Sequence, residues 1–164
     1  DKLGISRFES IQSYYTIAGR DLEREVIPVV KDQNVGVLVW SPLAGGLLSG
    51  KFDRDGNGPD GSRRASFDFP PVNRDRAFDC VDVMREIGDE LGVSVAQIAL
   101  AWLLHQSAVT SVIIGAKRLD QLEDNLASVR IKFSDEQLTR LNEVSALPAE
   151  YPGWMIARQN SGRG

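Results

Sequence analysis

Two stretches hold the residues best suited to chemistry: Trp40-Ser-Pro-Leu-Ala-Gly-Gly-Leu-Leu-Ser-Gly-Lys51 and Val112-Ile-Ile-Gly-Ala-Lys-Arg-Leu-Asp-Gln-Leu-Glu-Asp-Asn125. Each runs from an apolar strand into a turn of small residues and on toward a helix. Each also sets basic or amide side chains just past the turn. Chains hold phosphorylated ligands this way, at the carboxyl ends of parallel strands. In the second stretch Gly115 allows the tight turn, and Lys117 and Arg118 put two positive charges beside the start of the helix. Gln121, Asp124 and Asn125 are spaced i, i+3 and i+4, so one helix face presents all three. Each residue also has a plainer reading. Gly-rich strand-to-helix turns are common, and a lone Lys51 or Arg64 on a loop is ordinarily a solvated charge.

Other reactive residues are few. One cysteine, Cys80, excludes a disulfide framework and a Cys-based zinc site, and one histidine, His105, excludes a His-rich metal centre. No Ser/His/Asp arrangement can be built around that histidine, so no metal and no nucleophilic triad is expected. A net charge of −4 argues against non-specific nucleic-acid binding. Apolar and charged fractions of 42% and 26% suit a cytoplasmic protein, and no apolar run reaches the roughly 20 residues of a membrane span. No signal peptide is visible either.

The elements that must position these residues follow from periodicity. Phe8 to Tyr15 reads as a strand with a polar Gln12 inside it. Asp21 suits a helix cap ahead of Leu22, Val26, Val29 and Val30, although Pro28 requires a kink or a late start. Val37 to Trp40 is wholly apolar, as in a parallel strand covered on both faces. Residues 53–75, rich in Gly, Pro, Asp and Arg, form a long lid loop. Arg76 to Leu91 is an amphipathic helix whose buried face carries Ala77, Phe78, Val81, Met84, Ile87 and Leu91. Ser94-x-x-Gln97 is a capping-box pattern opening a helix over Val95 to His105, and Val109 to Ile114 is a third strand. Leu119, Leu122 and Leu126 define a short helix, and Ser134-x-x-Gln137 caps another. The tail 147–164 is too aromatic for mere disorder.

The order implies an α/β fold with parallel strands. The two stretches, with a lid carrying Ser-Arg-Arg-Ala-Ser66 between them, resemble the aldo-keto reductases. The likeness is to the branch holding bacterial general oxidoreductases and potassium-channel β-subunits. By that resemblance the chain is the C-terminal portion, about three β/α units (strands six to eight), of a (β/α)8 TIM barrel that takes about 250 residues. The chain opens at Asp1 without an initiator Met, so residues 1–164 are expected to be part of one barrel.

The same resemblance implies NADP as cofactor and reduction of a small-molecule carbonyl substrate. Gln12 would hydrogen-bond the nicotinamide carboxamide, and Trp40 would stack beneath its ring. Ser41, Pro42, Leu43, Ala44 and Gly46 would supply a turn, stiffened by Pro42, whose backbone N–H groups face the pyrophosphate. Lys51 and Arg64 would close over the phosphates from the lid. Gly115, Lys117, Gln121, Asp124 and Asn125 would hold the adenosine end, with Lys117 and Arg118 favouring the 2′-phosphate. Taken without the motif, Trp40 is a core residue and Gln12 a polar strand position. Many relatives carry Ser or Thr where Lys117 stands.

The family's Asp, Tyr, Lys and His tetrad has no equivalent here. His105 is not the family histidine, and neither Tyr14 nor Tyr15 matches the proton donor. Three readings remain. The chain supplies the cofactor-binding part of a reductase and needs the preceding part of the barrel. It belongs to a non-catalytic NADP-binding regulatory subunit. Or it is a short protein that completes its barrel by self-association.

Overall fold

The computed structural model describes residues 4–59, 61, 62, 64, 67 and 69–161. Of the expected lid motif only Ser62 and Arg64 fall within them; Arg63, Ala65 and Ser66 lie outside the described residues, as do the tail residues 162–164.

Strands β1 (Ser10–Tyr14), β2 (Gly36–Trp40) and β3 (Val109–Val112) pair in parallel, in the order β1-β2-β3. Gln12 pairs with Leu38 and Tyr14 with Trp40. Alternation puts Val37 and Val39 of β2 at zero exposure against the helices, while Leu38 and Trp40 on the other face are half-buried. Covering on both faces was expected; among the described residues one face is covered. Between Val37 and Leu38 the β3 register slips, and the Thr110 hydroxyl accepts the Val37 N–H at 3.2 Å in place of a ladder carbonyl.

Helix α1 (Val26–Gln33) begins late, after a 3-10 turn at Asp21–Glu23. Asp21 therefore does not cap it. Pro28 falls in the first turn, where its missing N–H costs nothing. Helix α2 (Arg74–Leu91) starts two residues earlier than its apolar pattern, because the Asn73 side chain accepts the Arg76 N–H at 3.0 Å. The lid accordingly ends at residue 73. The expected face is buried except Leu91, which keeps 38% of its surface.

Helix α3 (Val95–Leu104) is nearly all buried, with Trp102 at zero exposure and its indole N–H donating to Asn142 Oδ1 at 3.1 Å. His105 is its C-cap residue, with Nδ1 2.8 Å from the Ala101 carbonyl. Two further helices follow, α4 (Leu119–Ala127) and α5 (Asp135–Val144), and α6 (Gly153–Asn160) orders the tail. Both halves of the Ser134/Gln137 capping box are made. At α3 only Ser94 plays its part, because Gln97 turns its amide to Asp124.

Helix α4 turns its leucines outward. Leu119, Leu122 and Leu126 are 70%, 38% and 53% exposed, whereas Asn125 is buried. The periodicity was right for a helix, and the face that carries Gln121, Asp124 and Asn125 points inward. That face stands at the carboxyl ends of the strands, where polar groups have work to do.

Candidate cofactor site

A cavity of about 990 Å³ opens where β2 and β3 end. The lid, the turn after β2, the segment after β3 and helix α4 line it. That volume lies at the upper end for small-molecule sites, about 300–1,000 Å³. Eleven of the fourteen expected residues line it: Trp40, Ser41, Pro42, Leu43, Gly46 and Lys51, then Gly115, Lys117, Gln121, Asp124 and Asn125.

The turn after β2 is held in an unusual backbone conformation. Ser41 and Ala44 take φ of 51° and 50°, and Gly45 and Gly46 take 67° and 100°. Left-handed φ at non-glycine residues costs on the order of 1–3 kcal/mol each and persists where surrounding structure enforces it. Here the turn's own hydrogen bonds do so. Ala44 N–H donates to the Ser41 carbonyl at 2.8 Å, Gly45 N–H to Ser41 Oγ at 3.3 Å, and Gly46 N–H to the Leu43 carbonyl at 2.9 Å. Two N–H groups expected to face a phosphate, those of Ala44 and Gly46, thus bond inside the turn, as does that of Gly45. Tight left-handed geometry closes them on nearer acceptors.

Trp40 carries the aromatic part of the lining. The Tyr14 ring lies 5.2 Å from it at 45°, and Phe69 of the lid lies 6.0 Å away within 10° of parallel. Burial raises the Tyr14 phenol above its ordinary range, and burial with the Glu23 hydrogen bond does the same to Tyr15. Both are poorer proton donors for it.

The cationic part comes from β3 and α4. The N-cap residue of α4, Arg118, makes no side-chain cap, and the helix begins beside the cavity. Lys117 and Arg118 add charge there, and Lys51 adds more from the start of the lid. Lys117 N–H donates to Gln121 Oε1 at 3.1 Å, fixing the amide's orientation. Arg118 pairs with Asp120, with Nε donating to Oδ1 at 2.9 Å and a terminal nitrogen to Oδ2. That guanidinium holds the Asp120 carboxyl down at about 2. Asp124 spends both oxygens on α3, accepting Ser94 Oγ at 2.7 Å and Gln97 Nε2 at 2.6 Å. It fixes α4 against the start of α3. Asn125 is 8% exposed, with its side chain in the lining.

Three expected residues do not line the cavity. Gln12 is exposed on the open sheet face, the face that Tyr14 shares. Ala44 is fully buried in the turn. Arg64, 7% exposed, turns inward, donating from Nη1 to the Ala44 carbonyl at 2.7 Å and from Nη2 to the Pro70 carbonyl at 3.1 Å. It straps the lid to the turn. Sequence reasoning missed Gly45, Phe52 and Phe69 among the lining residues. Gly45 stood in plain view in the first motif, and the Phe67-Asp-Phe69-Pro-Pro71 cluster was a signal in an otherwise polar loop.

A sequence profile described as the aldo/keto reductase family matches residues 2–146. The chain is 36% identical over 133 residues to the uncharacterized oxidoreductase YrpG of Bacillus subtilis, covering 81% of this chain and 39% of that protein. It is 32% identical over 143 residues to the NADH-specific methylglyoxal reductase of Escherichia coli, covering 87% and 44%. A probable voltage-gated potassium channel subunit beta of Arabidopsis thaliana is 37% identical over 122 residues, covering 72% and 37%. The chain therefore spans about two fifths of the length of these curated relatives. With parallel strands, a cavity at their carboxyl ends and a profile match over nearly its whole length, this chain belongs to the aldo/keto reductase family.

Proposed function

We propose that this chain is the cofactor-binding part, the last three β/α units, of an NADP-dependent reductase of aldehydes or ketones. On this reading residues 1–164 are one part of a single barrel, with the lid and the aromatic tail shaping the mouth of its site. One observation carries it: a single cavity joins the Trp40 aromatic surface to the start of α4 with Lys117 and Arg118. A dinucleotide with one flat ring and several phosphates has that chemistry. The bound nicotinamide would supply the hydride. Trp40 would fix one face of its ring, Gln121 and Asn125 would meet the adenosine end, and Lys117 would meet the 2′-phosphate. Both chain-edge regions support the barrel reading, since Phe8 beside β1 and Ile113 and Val129 beside β3 and α4 are 86%, 44% and 63% exposed. Neighbouring units would cover such apolar surface.

The resemblance to a channel β-subunit favours a second reading, a regulatory protein that binds the nucleotide without turnover. Titration of the intact protein with NADPH, followed by indole fluorescence, separates these. Quenching should be saturable and reduced in Trp40→Phe, where the buried Trp102 and the exposed Trp154 of the tail remain as the reference indoles. Turnover of an aldehyde with NADPH supports the reductase; binding without turnover supports the regulatory protein. No quenching by either NADPH or NADH overturns both.

A further inference from the structure

The lid begins with a turn that the cofactor reading leaves unexplained. Asp53 and Asn57 close it together. Asp53 N–H donates to the Asn57 carbonyl at 3.0 Å, Asn57 N–H donates to Asp53 Oδ1 at 2.8 Å, and Asn57 Nδ2 donates to Asp53 Oδ2 at 2.9 Å. The Asn57 donors hold the Asp53 carboxyl below its ordinary range.

The residue after Asn57 has to be glycine. Phe52, 8% exposed, lines the cavity, and a Cβ on Gly58 would run into its ring. Glycine leaves its peptide nitrogen unshielded by any side chain, and Asn57 and Gly58 are both exposed. Among the described residues no acceptor holds the Gly58 N–H. The one side-chain partner of the Asn57 amide is also exposed, and a hydrogen bond at the surface opens at little cost. The packing that seats Phe52 thus sets an amide beside an unguarded nitrogen.

We propose that Asn57 is a site of spontaneous deamidation in the folded protein, and that its conversion opens the turn at which the lid begins. The Gly58 nitrogen attacks Asn57 Cγ. A C–N bond forms, the Cγ–Nδ2 bond breaks, and the amide nitrogen leaves as ammonia with the Gly58 proton. Water then opens the cyclic imide at either carbonyl, giving aspartate or its β-linked isomer, with nothing oxidised or reduced. In the aspartate product a carboxylate replaces the Nδ2 donor opposite Asp53 Oδ2, and like charges repel. In the β-linked product the Nδ2 donor is lost as well, and the backbone gains one carbon ahead of Gly58, which shifts that glycine against Phe52. Two guanidiniums lie near the turn. Arg54 is held by Asp79 and Asp82 at 2.9 and 2.6 Å, and Arg74 lies over the Phe78 ring beside Gly56. Neither bonds to Asp53 or Asn57, so the new charge faces Asp53 uncompensated.

The test is peptide mass spectrometry of the intact protein aged for days at mildly alkaline pH, alongside limited trypsin digestion. In the tryptic peptide that follows Arg54, Asn57 is the sole amide side chain. That peptide should gain the mass of an amide-to-acid conversion. In Asn57→Gln, whose amide stands one methylene too far to close a five-membered ring, it should not. Trypsin should cut the native chain after Arg54 several times faster in Asn57→Asp and in aged wild type than in fresh wild type. Combining Asp53→Asn with Asn57→Asp exchanges the amide and the carboxylate, and should restore the fresh wild-type rate. No mass gain in the folded protein overturns the site, most plainly if the same peptide gains it in denaturant. Equal cleavage in Asn57→Asp and fresh wild type overturns the opened turn. Neither readout involves a ligand, so both stand or fall apart from the cofactor reading.

Discussion

Removing the charge of Lys117 should move the protein's cofactor preference from NADPH toward NADH. Lys117 lines the cavity, and its backbone N–H is already committed to Gln121 Oε1 at 3.1 Å. Its ammonium is therefore the group that remains for a phosphate. A charge-assisted hydrogen bond is worth about 1.5–3 kcal/mol. Lys117 is exposed, and salt screens charges beyond about 8 Å at physiological ionic strength, so the lower end applies. That is about tenfold in affinity for Lys117→Ala toward NADPH, with NADH little changed. Arg118 should matter less, because Asp120 already compensates it through two hydrogen bonds. Arg118→Ala should cost about two- to threefold, and Asp120→Asn, which releases the guanidinium, should tighten NADPH by a similar factor. Both cofactors are titrated by fluorescence at low and high salt, and the Asp120→Asn variant should show the steeper salt dependence. An NADPH-to-NADH ratio that neither Lys117→Ala nor Asp120→Asn moves would refute the placement of the 2′-phosphate at this helix end.

Three other outcomes are expected. Ser94→Ala removes the cap on Gln97 N–H (3.1 Å) and a bond to Asp124 (2.7 Å), and should lower stability by about 1–2 kcal/mol in chemical denaturation; an unchanged midpoint contradicts it. Arg64→Ala frees the Ala44 and Pro70 carbonyls that it grips, so limited proteolysis should cut within residues 53–73 several times faster than in wild type, and equal rates would count against the strap. Burial pushes the Cys80 thiol up to about 12, so it should resist thiol reagents at pH 8 until the protein unfolds. Because the folded value is the raised one, the Cys80 contribution to stability is complete below the ordinary thiol value. It falls as pH climbs from about 9 toward 12, by at most about 1.4 kcal/mol per pH unit. Rapid labelling of the native protein would contradict this.

Much of the architecture was legible because periodicity reports local geometry. The Ala77-to-Ile87 pattern named the buried face of α2, Ser134 and Gln137 announced a full capping box, and the apolar Val37–Trp40 run gave a parallel strand. Boundaries slipped where a side chain intervened, as when Asn73 started α2 early. The site was legible as a set of motifs: both stretches meet at one cavity, though 70 residues of sequence separate their small-residue turns at Gly45 and Gly115. What could not be read was direction. Gln97 fits a capping box as well as it fits a bond to Asp124, and only the packing of α4 against α3 chooses between them.

The sequence by itself determined the strand and helix order, the turn chemistry and the cationic start of α4. Each depends on residue types within a few positions of one another. Tertiary structure decided which way Arg64 reaches, that Gln97 turns its amide to Asp124, and that Phe69 lies beside Trp40. Those outcomes depend on which partner across space offers a burying side chain its hydrogen bond or contact. For Arg64 the partners were two backbone carbonyls, and residue identity does not mark a carbonyl that folding has left without a donor.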